Sequence, residues 1–406
     1  MRLTIHKGAS EIGGTCIELS HAGENILLDL GTPLSENSTP LNAAALNSSA
    51  LILSHVHQDH YGQMYQLDPS TPVYITELGR RLLEATCVFL GRELTQRNFH
   101  YFRPWERFDV AGFRITPYLV DHSTPDAFGF LIEAGKTQLY YTGDFRAHGR
   151  KSVLFERLIK ELPANLDAVI MEGTMMERDN DAFPDESAVE EAIVEAIAGQ
   201  TNLSFIIGSS QNIDRLVSAY RACIKANKLL VIDLYTTWIL EQLKLVSDSV
   251  PNMSWERMRV YFPYKQYEIV RTNKEYFGSF LLRALERRIE KDELWEHRIR
   301  YLYLAKMSSG PLFDIYKKSG PVKVIYSQWL GYLKEPSCRI ANLQSDPQVE
   351  FVYAHTSGHA VLADLKEFAD ALAPKRLIPV HTEYADRFAD HFKNVVRLQD
   401  GEAMEL

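Results

Sequence analysis

The chain has 406 residues, 46% of them hydrophobic and 24% charged, with a formal net charge of −9 at pH 7. Such a chain is globular with room for two or three domains, and its negative balance argues against a protein that coats nucleic acid through overall charge. No apolar run approaches a membrane span, "MRLTIHK" carries no signal-peptide core, and Cys16, Cys87, Cys223 and Cys338 form no C-x-x-C pair, so the expected setting is cytoplasmic, with no membrane partner, and any metal must use nitrogen and oxygen ligands.

The first part of the chain reads as strands separated by turns: "RLTIHKG", "TCIELSHAGENILLDLG", "ALILSHVH", "PVYIT", "FRITPYLVDHS", "FGFLIEAGKTQLYYTGDF" and "LDAVIMEGT". The Gly-Glu-Asn and Gly-Lys turns predict antiparallel hairpins. From about Asp185 strands and helices alternate. "DESAVEEAIVEAIAG", "NIDRLVSAYRACIKAN" and "TTWILEQLKLV" are helical, whereas "LSFIIGS", "LLVIDLY", "VKVIYSQ" and "VEFVYAHTSGH" are apolar strands. This alternation predicts a parallel sheet covered on both faces. A helix, "ADLKEFADALAP", and a last buried strand, "RLIPVH", follow.

The stretch "LILSHVHQDHYGQ" places three histidines and an aspartate within His55 to His60. A buried strand over Ala50 to Ser54 would leave the chain extended, so His55 and His57 share a side, Asp59 can follow them, and His60 faces elsewhere. Such a set suits two transition-metal ions held close together better than the closed four-ligand shell of a structural zinc. His122, Asp144 and His381 each end a strand-like run. Singly, such residues are usually caps or turn residues. Together with the histidine cluster they read as ligands, and His381 can join them only if the chain returns to its first domain.

These motifs resemble the metallo-β-lactamase superfamily and, within it, the β-CASP nucleases, most closely ribonuclease J. The resemblance rests on Asp29 in "LLDLG", "HVHQDH", His122, Asp144 in "TGDFR", Glu172 in "MEGT", His359 in "HTSGH" and His381 in "PVHTE". It implies an α/β fold: an αββα sandwich from residues 1–180 and 356–406, with a β-CASP domain of residues 181–355, a parallel sheet flanked by helices, inserted between them. It also implies a ligand set. His55, His57 and His122 would hold one divalent ion, zinc or manganese, and Asp59, His60 and His381 a second, with Asp144 bridging and Asp29 orienting imidazoles from behind. The implied activity is metal-dependent hydrolysis of single-stranded RNA, 5′-exonucleolytic, endonucleolytic or both, through a hydroxide shared by two metals, leaving 5′-phosphate and 3′-hydroxyl ends. Asp59, His359 and Glu172 would be catalytic, and Ser357, Gly358 and His359 would contact phosphate.

A DNA nuclease of the β-CASP family, with DNA as substrate, and a non-catalytic RNA-binding paralogue are the alternatives. "HTSGH" favours the RNA branch, and no ligand position is lost. Thr382 stands where ribonuclease J usually has glycine, and the sequence ends soon after "PVHTE", so that enzyme's additional C-terminal domain is not expected. A homodimer is compatible with this reading.

Glu256 to Met307 carries 12 Lys+Arg against 8 Asp+Glu with ten aromatics, a pattern that can track phosphates and stack on bases. Within it, "FLLRALERRIEKDELW" reads as one amphipathic helix that would account for much of the excess by core packing.

Overall fold

In the computed structural model, residues 1–35, 38–180, 182–336 and 338–406 are described. Two compact units emerge: Met1–Glu84, Glu93–Asn180 and Gly358–Leu406 form one, and Ala85–Arg92 with Asp181–Ser357 the other.

The first unit is built on two sheets. In one, Arg2–Lys7 pairs antiparallel with Cys16–His21 and Glu402–Glu405, Cys16–His21 pairs antiparallel with Glu24–Leu28, and Ala50–Ile52, Val73–Ile75 and Phe99–Tyr101 extend the sheet in parallel. In the other, the order is Leu377–Val380, Ala168–Glu172, Thr137–Tyr141, Ala127–Ala134, Phe113–Val120 and Phe108–Val110. The C-terminal segment therefore supplies one strand to each sheet.

Period-two alternation builds the core. Leu3, Ile5, Ile17, Leu19, Ile26 and Leu28 cluster with Ile115, Phe128, Phe130, Ile132 and Ile170 of the second sheet. The opposite face of that sheet, with Tyr140, Val169 and Met171, packs on Phe155 and Leu158 of the helix Val153–Glu161 and on Leu365 and Phe368 of the helix Leu362–Leu372. Leu27 and Leu51, on the outer face of the first sheet, are also fully buried, as is Leu82 of the helix Glu77–Leu90. The result is the four-layer αββα sandwich of the metallo-β-lactamase fold.

The second unit carries seven parallel strands, ordered Arg288–Ile289, Met258–Tyr261, Leu229–Asp233, Tyr301–Ala305, Ser204–Ile207, Val322–Tyr326 and Val349–Tyr353. Phe205 and Ile207 pack on one face with Phe313 and Tyr316, while Ile206, on the other, is equally buried, as expected for a sheet covered on both sides. The helix Glu186–Ile197 is capped by Asp185, whose carboxylate accepts from the Ser187 and Ala188 amides.

One expected element differs. "FLLRALERRIEKDELW" is not a single helix but the helix Phe280–Leu285, the strand Arg288–Ile289 and the helix Lys291–Glu296. Arg288 and Ile289 pair with Val260 and Tyr261 at the sheet edge, and Ile289 is 1% exposed. Closing that edge and burying Ile289 outweigh the continuity of an exposed helix. The last turns of the helix Glu77–Leu90, within Ala85–Arg92, join the second unit, where Thr86 hydrogen-bonds Tyr235 at 3.0 Å and Phe89 meets Tyr235 and Phe277 edge-on.

Phe368 is fully buried against Tyr140, Phe145 and Phe155. Phe368→Ala is expected to cost about 3–5 kcal/mol of the first unit's stability, read as a lower denaturation midpoint; an unchanged midpoint would show that this helix does not seal the sheet.

Candidate metal centre

The candidate residues sit at the C-terminal ends of strands in both sheets. Asp29 follows Glu24–Leu28, and His55 follows the parallel neighbour Ala50–Ile52. In the second sheet, His122, Asp144 and His381 follow Phe113–Val120, Thr137–Tyr141 and Leu377–Val380, and Glu172 is the last residue of Ala168–Glu172. Thr137–Tyr141, Ala168–Glu172 and Leu377–Val380 run parallel, so Asp144, Glu172 and His381 emerge side by side.

The helix Gln58–Tyr61 lifts Asp59 and His60 out of the line of His55 and His57. That turn is tied to the segment after Asp29 by Leu30 N–H to the His60 carbonyl, 2.7 Å, and Thr32 N–H to the Gln58 carbonyl, 2.9 Å. The approach is so close that a Cβ at Gly31 would lie 1.6 Å from the Asp59 carbonyl oxygen, so only glycine fits. Asp29 and His381 hold φ of 57° and 52°, left-handed values that cost a non-glycine residue free energy and are characteristic of functional sites.

The side chains converge in two groups, His55, His57 and His122 in one and Asp59, His60, Asp144 and His381 in the other. Asp144 Oδ2 lies between them. It is 3.1 Å from His60 Nε2, 3.7 Å from His55 Nε2, and 3.9 Å from both His122 Nε2 and His381 Nε2. His57 Nδ1 lies 3.1 Å from His55 Nε2 and 3.2 Å from His122 Nε2. Asp59 Oδ2 lies 3.7 Å from His381 Nε2.

Hydrogen bonds behind the imidazoles set which nitrogen faces the centre. Asp29 Oδ2 accepts from His60 Nδ1–H at 2.8 Å, Tyr141 Oη–H at 2.6 Å and Ser54 Oγ–H at 2.7 Å. With its proton so engaged, the Ser54 oxygen accepts from His55 Nδ1–H at 3.0 Å. The Gly358 carbonyl accepts from His122 Nδ1–H at 2.5 Å, and Thr15 Oγ1 lies 2.8 Å from His381 Nδ1. Burial holds His55 and His122 well below the usual imidazole range, so their Nε2 atoms present lone pairs. Burial lowers His60 too, but Asp144, Asp29 and Asp59 reverse this and raise it well above that range.

These donors fit divalent cations. Asp144 Oδ1 and His381 Nε2 are buried without a hydrogen-bond partner, a costly state that a shared metal would relieve. The set is imidazole and carboxylate, without thiolate, which both zinc and manganese accept.

Beside this centre, Glu172 holds His359 Nδ1 at 3.1 Å from each carboxylate oxygen and accepts the Phe145 and Thr174 amides. Burial disfavours the charged imidazole, but Glu172 and then Asp144 more than offset it and push His359 up to about 9. Gly358 turns its carbonyl to His122, and a Cβ there would meet His122 and Ser123 at 3.2 Å. Ser357 is nearly buried as the last residue of the second unit. His355, left outside the ligand set, lies near Arg215, at 3.3 Å.

Sequence reasoning missed Ser54, Tyr141 and Thr15, and also the pair Asp121–Arg146. Both members are fully buried, with Arg146 Nε 3.5 Å from Asp121 Oδ1 and the Gly149 amide donating to Asp121 Oδ2. Only the position of Arg146 within "TGDFR" hinted at it.

Two protein families match the chain: the beta-lactamase superfamily domain over residues 24–201, and the Zn-dependent metallo-hydrolase RNA specificity domain over residues 349–399. Ribonuclease J of Sinorhizobium meliloti is 23% identical over 381 residues, covering 89% of this chain and 63% of that protein. Ribonuclease J2 of Bacillus subtilis is 24% identical over 413 residues, 95% of this chain and 69% of that protein. The chain thus spans about two thirds of the length of these relatives. A crystal structure of a protein of unknown function from Enterococcus faecalis V583 shares the fold, with a TM-score of 0.77 at 20% identity over 100% of this chain and 99% of that one.

Asp29→Ala would remove the acceptor shared by His60, Ser54 and Tyr141. Metal affinity is expected to fall about 10- to 100-fold, measured by competition with a chromophoric chelator; wild-type affinity would mean that the imidazoles orient themselves without it.

Proposed function

Because the chain is a ribonuclease J-like member of the metallo-β-lactamase superfamily, we propose that it is a metal-dependent phosphodiesterase that hydrolyses single-stranded RNA in the cytoplasm. Cleavage is 5′-exonucleolytic, endonucleolytic or both, and leaves 5′-phosphate and 3′-hydroxyl ends. The observation that carries this reading is the pair of ligand groups meeting at Asp144 Oδ2 with unpartnered buried donors. RNA as substrate is supported by the match to the RNA specificity domain and by the ribonuclease J relatives.

His55, His57 and His122 would hold one ion and Asp59, His60 and His381 the other, with Asp144 Oδ2 between the two groups. When bound, two such ions lower the pKa of water and stabilise the charge on the attacking and leaving oxygens of an in-line displacement at phosphorus. Asp59, whose side chain is 13% exposed, accepts a hydrogen bond from the attacking water and orients it. His359 supplies the proton for the departing oxygen. Its Nδ1–H is held by Glu172, which leaves Nε2–H to donate, and its raised pKa keeps it charged at neutral pH. The bond from phosphorus to the water oxygen forms as the bond to the 3′-oxygen breaks, and the 3′-oxygen takes the His359 proton. Ser357, Gly358 and His359 form a loop that also receives a substrate phosphate.

His359→Gln is expected to lower kcat by about 10²- to 10⁴-fold while bound metal stays at the wild-type level; unaltered kcat would remove His359 from the proton transfer. Chelation should abolish cleavage, and zinc or manganese should restore it. Mass spectrometry of the products decides the chemistry, since 2′,3′-cyclic phosphate ends would sink the hydrolytic mechanism. Linear 5′-phosphorylated RNA, circular RNA and the matching DNA, run in parallel, separate exonucleolytic from endonucleolytic action and RNA from DNA.

A further inference from the structure

The second unit holds a cavity of about 290 Å³ between the helices Lys291–Glu296 and Gly310–Lys317. Its walls are aromatic: Tyr261, Trp295 and Tyr316, with the Trp295 and Tyr316 rings 5.2 Å apart. Exposed Lys291 and Lys318 stand at its mouth.

Its polar groups are uncommitted. Among the described residues, the hydroxyls of Tyr261 and Tyr316 have no hydrogen-bond partner, although Tyr316 is only 2% exposed; burial raises both phenols above their ordinary pKa. The neighbouring Lys317 is bound to both Asp314 and Asp346, whereas, among the described residues, Lys291 and Lys318 have no carboxylate within ion-pair distance. Arg298 lies 5.3 Å over the Trp295 ring, and its buried Nε has no partner. Against these three cations the lining offers one carboxylate, Asp292. The nearby Glu290 is paired with Arg288, and Glu293 accepts from Tyr301.

Aromatic walls with a few convergent polar groups select a flat, heteroaromatic ligand, and cations at the mouth select one that carries negative charge. A core role does not account for the set, because packing alone needs neither free phenols nor unpaired lysines. We propose that this cavity takes one nucleotide of single-stranded RNA, its base stacked against Trp295 and in reach of the tyrosine hydroxyls, its phosphate held by Lys291 and Lys318. Base–aromatic stacking contributes about 1–3 kcal/mol per base without demanding one sequence, which suits a nuclease acting on many RNAs. The basic and aromatic stretch from Glu256 to Met307 contributes Tyr261, Lys291, Trp295 and Arg298 to this one place. The proposal rests on the ribonuclease reading for the identity of the ligand.

The test measures binding rather than turnover. With metal chelated so that no RNA is cut, the affinity of the full chain for a fluorescein-labelled RNA decamer is measured by anisotropy, and adenosine 5′-monophosphate is added as competitor. Leu312→Trp, which fills the cavity, and Lys318→Glu, which reverses the charge at its mouth, should each weaken RNA binding about tenfold, equivalent to about 1.4 kcal/mol. Lys244→Glu, an equal change of charge on an exposed lysine outside the lining, should bind like wild type. Lys318 is exposed, so its variant keeps the test decisive even if Leu312→Trp folds poorly. Wild-type RNA affinity in Lys318→Glu overturns the proposal, whether or not the enzyme cleaves RNA. Calorimetric binding of adenosine 5′-monophosphate, weakened by Leu312→Trp, with no RNA bound at all would assign the cavity to free nucleotides, overturning the RNA assignment and counting against the ribonuclease reading as well.

Discussion

Asp144 Oδ2 is the atom on which the rest of the first unit depends. Five imidazoles, those of His55, His60, His122, His359 and His381, lie within 4 Å of it, and Asp144 itself is 2% exposed. Neutral imidazoles that aim lone pairs at a buried carboxylate repel it, and a carboxylate away from water demands positive charge. Protonated His60 supplies part of that charge, and His359, raised chiefly by Glu172 and then by Asp144, adds to it, so both lie above their ordinary range whereas burial keeps His55 and His122 below it. A divalent ion supplies it more strongly and satisfies the nitrogens at the same time. Metal binding to such a site displaces the His60 proton, so affinity should weaken as pH falls.

The fold is arranged to keep this arrangement from relaxing. Two sheets place parallel strand ends together, and the final segment returns with a strand in each sheet so that His381 is fixed from both sides. Left-handed backbone at Asp29 and His381, and the contact that only Gly31 permits, are local costs held in place by the packed sandwich around them. Asp29 then acts as a common acceptor. By engaging His60, Ser54 and Tyr141 together, it settles two imidazole tautomers through one carboxylate.

The candidate ligands stand out in the sequence because metal binding needs rare residue types at strand ends, and the fold brings those side chains into two groups that could hold an ion. Their supports do not stand out. Ser54, Tyr141 and Thr15 are ordinary residues whose roles exist only once distant strands meet, and the buried pair Asp121–Arg146 looks on paper like two surface charges. The parallel sheet followed from the alternation of apolar strands with helices, whereas the sandwich was implied by the resemblance to the metallo-β-lactamase superfamily. The break of residues 280–295 into helix, strand and helix was not legible, because it is decided by the open edge at Val260 and Tyr261, far from the segment's own pattern. The membership of residues 85–92 in the second unit likewise depends on Tyr235 and Phe277.

The two units solve opposite physical problems. In the first, charge is concentrated, buried and overdetermined, and nearly every polar atom near the centre has an assigned partner. In the second, among the described residues, the cavity between its helices holds two phenols and the Arg298 Nε without a hydrogen-bond partner, with two exposed lysines at its mouth. A centre of the first kind is specific for a reaction and indifferent to sequence, because it addresses a phosphodiester common to every nucleotide. A cavity of the second kind discriminates by shape and stacking and contributes affinity rather than rate. If the chain acts as proposed, cleavage and retention of a nucleic acid are therefore separable, carried by different residues on different sheets, and substitutions in one unit would alter one without the other.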